Sequence, residues 1–237
     1  MIQPVIEYGS RRITYSPEQA TGKRLRIIVT PRLEVRVRVP KGVSPVDVNK
    51  AVQGKADWIA RQLERQERHH PLPGPKKYVS GETIVYLGRQ YRLKVEQGEE
   101  PCASMYGRYL RILVPDVHDR ESVRDEFREW CRQRAEDVFA RYAERCFEVG
   151  ARHGIPKVPI HLRWMRSRWG ACSTRNRVTL NLHLMQSPVH CIEYVIMHEL
   201  CHLVHHNHSK AFYRLLTRCM PDWEVRREVL SEVKIEV

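Results

Sequence analysis

The pentapeptide His198-Glu199-Leu200-Cys201-His202, with His208 six residues further on, places three imidazoles and a carboxylate in the pattern of a metal-dependent hydrolase. On a helix, residues four apart share a face, so His198 and His202 can present ring nitrogens to one ion, with His208 as the third ligand. Three protein ligands leave one coordination position open. That is the arrangement of a catalytic zinc, whereas structural zinc is usually closed by four ligands rich in cysteine. Glu199 sits beside the pair and off their axis, which suits a base that takes a proton from water without joining the first shell. The expected cofactor is one Zn2+ per chain, with another divalent metal as the alternative, since imidazole accepts several.

Such a site needs a buried helix to hold it. Met197, Leu200, Cys201, Leu203 and Val204 surround the polar trio, so the helix should begin near Pro188 and be buried nearly all round. Burying His, Glu and His without partners would cost several kcal/mol, which a bound metal relieves. Twelve histidines raise the chance of accidental pairs, but this apolar setting argues for a real site. Beyond the helix, Asn207 is expected in the left-handed conformation where the chain reverses, and Ser209 should cap the next helix. Ala211, Phe212, Leu215 and Leu216 give that helix an apolar face, Pro221 stops it, and Trp223 to Val233 reads as a last short helix. His205 and His206 read as surface or supporting groups.

Upstream, Leu33, Val35, Val37 and Val39 alternate with charged residues, the period of a strand with one wet face. Pro31 and Pro40 punctuate that strand. One helix follows from Ser44-Pro45 to about Arg68, with Val48, Val52, Ile59 and Leu63 on its apolar side. The run from His69 to Pro75 reads as a stiff linker, its two histidines solvated. A hairpin follows around Gly88-Arg89, then a second strand pair ending at Val114. From Asp119 to Gly150 the periodicity predicts one long helix with Gly150 as its terminator, and its arginines have Glu126, Glu129, Glu136 and Asp137 for local pairing. Residues 160–164 and 178–182 read as two strands joined by a tight turn at Gly170-Ala171-Cys172-Ser173. No internal sequence repeat is visible. The fold class is α+β: a mostly β region over 1–115 with one helix, then a helical metal-binding region over 116–237 with a small antiparallel sheet.

The net charge of +13 over 237 residues invites anionic partners without deciding among them. Seven scattered cysteines, never spaced Cys-x-x-Cys, read as reduced thiols. No apolar run is long enough for a bilayer and no signal peptide opens the chain, so a cytoplasmic protein without a membrane partner is expected.

Several runs together resemble the YgjP-like metallopeptidase family: Ser167-Arg168-Trp169-Gly170-Ala171-Cys172-Ser173, Leu180-Asn181, Tyr194 through His202, Asn207 through Phe212, and Met220-Pro221-Asp222-Trp223. Ser80-Gly81-Glu82 and Tyr86-Leu87-Gly88 extend the likeness into the first half. The resemblance implies a minimal zincin core related to the SprT-like and WLM proteases, with His198, His202 and His208 as ligands and Glu199 as catalytic base. Ala171 stands where this family more often has serine, and His205 occupies the place of the metzincin turn glycine, so no metzincin Met-turn is expected.

The reaction expected is attack of an activated water on a peptide carbonyl. Arg168 or the indole of Trp169 could stabilise the oxyanion, although either could equally be structural, and Asn181 could hold an extended peptide. Two alternatives stay open. The same water could attack a nucleoside triphosphate, although no Walker-type loop appears; or the basic surface could serve nucleic acid, in a DNA-associated protease or a binding protein.

Overall fold

In the computed structural model, which describes residues 3–9, 11–22, 24–30, 32–67 and 76–233, Val35, Val37 and Val39 form the buried face of a strand, as their period of two requires. The chain divides into two compact units, Met1–Gly74 and Pro75–Val237. The sequence reading set its boundary at 115, where the pattern shifts from strands to a long helix. The linker read at 69–75 lies outside the described residues.

The first unit is a four-stranded sheet with two helices on it. Strands β1 (Val5–Tyr8), β2 (Arg11–Ala20), β3 (Arg26–Val29) and β4 (Val35–Pro40) lie in the order β1-β2-β4-β3. The outer pairs are antiparallel and the central β2 and β4 are parallel. Ile6, Ile13, Tyr15, Val35 and Val37 meet Val48, Val52, Ile59 and Leu63 in one core. The single helix read from the sequence is two, α1 (Pro45–Gln53) and α2 (Ala56–Glu67). The chain tightens at Gly54 and Lys55, where the Lys55 amide donates to the Val52 carbonyl at 3.0 Å, a three-residue step that redirects the axis. Ser44 caps α1 as expected, accepting the Asp47 amide at 3.1 Å.

The second unit begins with another sheet of the same topology. Strands β5 (Thr83–Tyr86), β6 (Arg89–Gln97), β7 (Cys102–Tyr106) and β8 (Tyr109–Val114) run in the order β5-β6-β8-β7, again with a parallel central pair. Its apolar face packs on α3 (Arg120–Ala151) through Val123, Phe127, Trp130 and Cys131. Asp119 caps α3 by accepting the amides of Glu121 and Ser122. Gly150 does not terminate α3 but lies within it, where a Cβ would come 3.2 Å from Ile155; close packing, not chain reversal, explains this glycine. Two arginines of α3 are locally paired: Arg132 holds both Glu129 and Glu136 at 2.6 Å, and Arg124 meets Glu121 and Asp125.

A three-stranded sheet follows, of β9 (Ile160–Arg163), β10 (Gly170–Cys172) and β11 (Val178–Asn181) in the order β10-β11-β9. It is mixed, since β9 and β11 are parallel, and not antiparallel as the sequence suggested. Gly170-Ala171-Cys172 is therefore an edge strand, and the turn lies later, at Ser173 to Arg177 with Asn176 at φ 55. A 3-10 turn over Leu182–Gln186 leads into α4 (Val189–Cys201), then α5 (Lys210–Cys219) and α6 (Trp223–Glu232). With six helices and three sheets among the described residues, the class is α+β. Among the described residues, no helix is long and apolar enough to cross a membrane.

One contact ties the second sheet to the segment that launches α4. The β5–β6 turn uses Leu87 and Gly88, both at positive φ, and their amides donate to the carbonyls of Met185 and Gln186 at 2.7 and 3.3 Å. A Cβ on Gly88 would lie 2.8 Å from Pro188, the residue before α4, so only glycine lets the turn seat there.

Candidate metal centre

Helix α4 is buried on almost every side, as its apolar residues require: Ile192, Ile196, Leu200 and Cys201 are fully covered. It presents His198 in its last turn and His202 just past its end. The chain then reverses through short hydrogen bonds to the carbonyls of Leu200 and Cys201. Asn207 is not left-handed, contrary to the sequence expectation; the tightened last turn does the reversing. Ser209 caps α5 by accepting the Phe212 amide, and His208 returns to the other two imidazoles.

The three Nε2 atoms converge. That of His208 lies 2.9 Å from His198 and 3.2 Å from His202. Nitrogens at the usual zinc distance in a tetrahedron lie about 3.3 Å apart, so the spacing fits a small divalent ion. Two of the donors also have the right protonation. His202 Nδ1 donates to the His205 carbonyl at 2.9 Å, which leaves its Nε2 lone pair free. Burial first, and then the neighbouring imidazoles, push His198 down to about 3, keeping it neutral. Its Nδ1 is buried with no hydrogen-bond partner among the described residues; rings hold it instead. Phe212, fully buried on α5, lies 5.0, 4.5 and 4.9 Å from the rings of His198, His202 and His208, an apolar floor under all three. These three residues could hold one metal ion.

Glu199 is 7% exposed and faces the edge strand β10. Burial pushes its carboxyl up to about 7, opposed by the Arg168 guanidinium and by the Cys172 amide, which donates to it. A Cβ on Gly170 would fall 2.6 Å from Glu199 Cγ and 2.7 Å from Oε1. Gly170 is thus demanded by the carboxylate beneath it.

A cavity of about 630 Å3 opens over this group. Arg168, Trp169, His206, Tyr194 and Arg227 line it beside the three histidines and Glu199. His205 contributes its carbonyl to His202, and His206 lines the wall. Asn181 does not line the cavity. It is fully buried, donates to the carbonyls of Met165 and Arg168 at 2.8 and 2.7 Å, and accepts the amides of Met165 and His183 at 3.1 Å. Its amide has no capacity left for a peptide, so the substrate contact read for it gives way to a positioning one: it fixes the segment carrying Arg168 and Trp169.

Sequence reasoning missed Tyr194 and Arg227. Tyr194 stands four residues before His198, a signal available in the spacing, and burial pushes its hydroxyl up to about 12. Arg227 comes from α6, which no local pattern connects to the site.

No curated protein matches the chain significantly. The domain described as YgjP-like, metallopeptidase, matches residues 23–233, a span that includes every residue lining the metal cavity. By that match the chain belongs to the YgjP-like metallopeptidase family, and so to the metal-dependent hydrolases.

Proposed function

We propose that the protein is a zinc-dependent peptide hydrolase, with His198, His202 and His208 as ligands and Glu199 as the base. The observation that carries this reading is the convergence of three imidazole nitrogens beside one buried carboxylate. When bound, the ion supplies the positive charge that acidifies water and polarises a carbonyl. Glu199 accepts the proton of the attacking water and returns it to the leaving amine; a proton affinity near neutrality suits both directions. Arg168 opposes the carboxylate charge from the cavity wall and offers its guanidinium to the developing oxyanion. Trp169, half-buried and packed on the core, shapes the wall against which an extended peptide would lie.

Phosphoryl hydrolysis is the rival, favoured by two guanidinium groups, Arg168 and Arg227, in one cavity. A panel of unstructured protein and nucleoside triphosphates separates the two, measured for the zinc-loaded wild type and for Glu199→Gln. Loss of peptide cleavage in the variant supports the peptidase. Loss of triphosphate cleavage moves the protein to the phosphohydrolases, and turnover untouched by the substitution removes Glu199 as the base.

A further inference from the structure

Helix α5 carries Lys210, Arg214 and Arg218 four residues apart, so its period brings three cations onto one exposed face. They line a cleft of about 770 Å3 that Trp223, Glu224 and Arg227 complete. Arg227 also lines the metal cavity, so one guanidinium belongs to both spaces. A row of rings runs between them: His208 lies 6.1 Å from Tyr213, Tyr213 lies 5.2 Å from Trp223, and the Arg227 guanidinium sits 4.9 Å over Trp223.

Four cations here face one carboxylate, Glu224. Among the described residues none of the four forms an ion pair, whereas Arg132 on α3 holds two glutamates. Like charges gathered without counter-charge repel one another, and an anionic partner relieves that repulsion.

We infer that this cleft binds an acidic stretch of a polypeptide substrate and leads its scissile bond past Arg227 into the metal cavity. The inference rests on the peptide-hydrolase reading. Lys210 to Arg218 spans about 12 Å of helix axis, the length of about four residues of extended chain. The aromatic groups favour polypeptide over nucleic acid. Single-stranded nucleic acid stacks its bases on open ring faces, but Trp223 is 6% exposed, its ring taken up by Tyr213 and Arg227.

The test compares wild type with Arg214→Ala/Arg218→Ala on two unstructured peptides of equal length, sharing one cleavage segment flanked by Asp and Glu or by Ser and Gly. The ratio of kcat/KM, acidic over neutral, falls about tenfold in the double variant, since each surface pair contributes a few-fold. A control that removes the same charge from exposed positions on β3 and β4, Arg26→Ala/Arg38→Ala, keeps the ratio. An unchanged ratio in the cleft variant overturns the inference. Fluorescence anisotropy of the same peptides on Glu199→Gln, with and without the cleft substitutions, reads binding alone. If the wild type cuts neither peptide, the hydrolase reading fails while anisotropy still decides the cleft: about tenfold weaker acidic-peptide binding supports it, and unchanged binding overturns it. Tighter binding of a single-stranded DNA of equal charge, lost on the same substitutions, also overturns it.

Discussion

The first and second sheets share strand order, pairing and a parallel central pair, yet only the second belongs to the unit with the three-histidine cluster. In the first, buried valines and isoleucines meet two short amphipathic helices, and the core closes on itself. In the second, the sheet packs on a 32-residue helix, and its hairpin turn is hydrogen-bonded to the segment that launches α4. The difference teaches that topology supplies a platform. A candidate site arises where one turn of the platform is shaped to seat against the element bearing the clustered histidines.

Core truncation should separate the two sheets most strongly. Ile13→Ala and Leu93→Ala remove equivalent buried side chains from β2 and β6 and should each cost about 2–5 kcal/mol. Saturating zinc should restore stability to Leu93→Ala, by about 2.7 kcal/mol at a hundredfold excess over Kd, and leave Ile13→Ala unrestored. Urea unfolding with and without metal reads this; equal rescue of both variants would erase the distinction.

Gly170→Ala should come next. The added methyl has no room beside Glu199, so the carboxylate must move, and turnover should fall about a hundredfold while metal content is kept. Wild-type turnover in this variant would mean that β10 yields freely. Gly88→Ala attacks the seating turn itself, through a positive φ and the Pro188 contact, and should cost about 1–3 kcal/mol. A thermal midpoint unchanged from wild type would show that the turn carries no strain.

A further effect is in pH. His183 is buried against Trp164, and burial, with Arg128 adding to it, pushes it down to about 4. The unfolded chain takes up its proton near 6.5, so this contribution is complete above that pH and is lost as pH falls towards 4, by about 1.4 kcal/mol per unit. His183→Gln should flatten that limb of a stability profile, and an unaltered slope would assign it to other groups.

Much of this was legible in the sequence because it is local. The grouping of three histidines, the alternating valines of β4 and the Ser44 cap follow from short-range spacing. Strand β2 was not legible, since Pro17 lies within it and its second half is mostly exposed; pairing with β4 holds it extended. Gly170 read as a turn because smallness looks the same whether a chain bends or a carboxylate lies beneath it. Asn181 offered no sign of facing inward, since an amide that binds a peptide and one that binds its own loop have the same formula. Arg227 reaches the cavity only through the packing of α6 on α4.

The most direct measurement of the central claim is metal stoichiometry by elemental analysis after zinc loading and desalting, for wild type, Glu199→Gln and His202→Ala. One ion per chain is expected in the first two and none retained in the third, whose affinity should fall by more than the 10–100-fold typical of changes outside the ligand shell. One ion per chain in His202→Ala, or none in the folded wild type, would contradict a centre built from these three histidines.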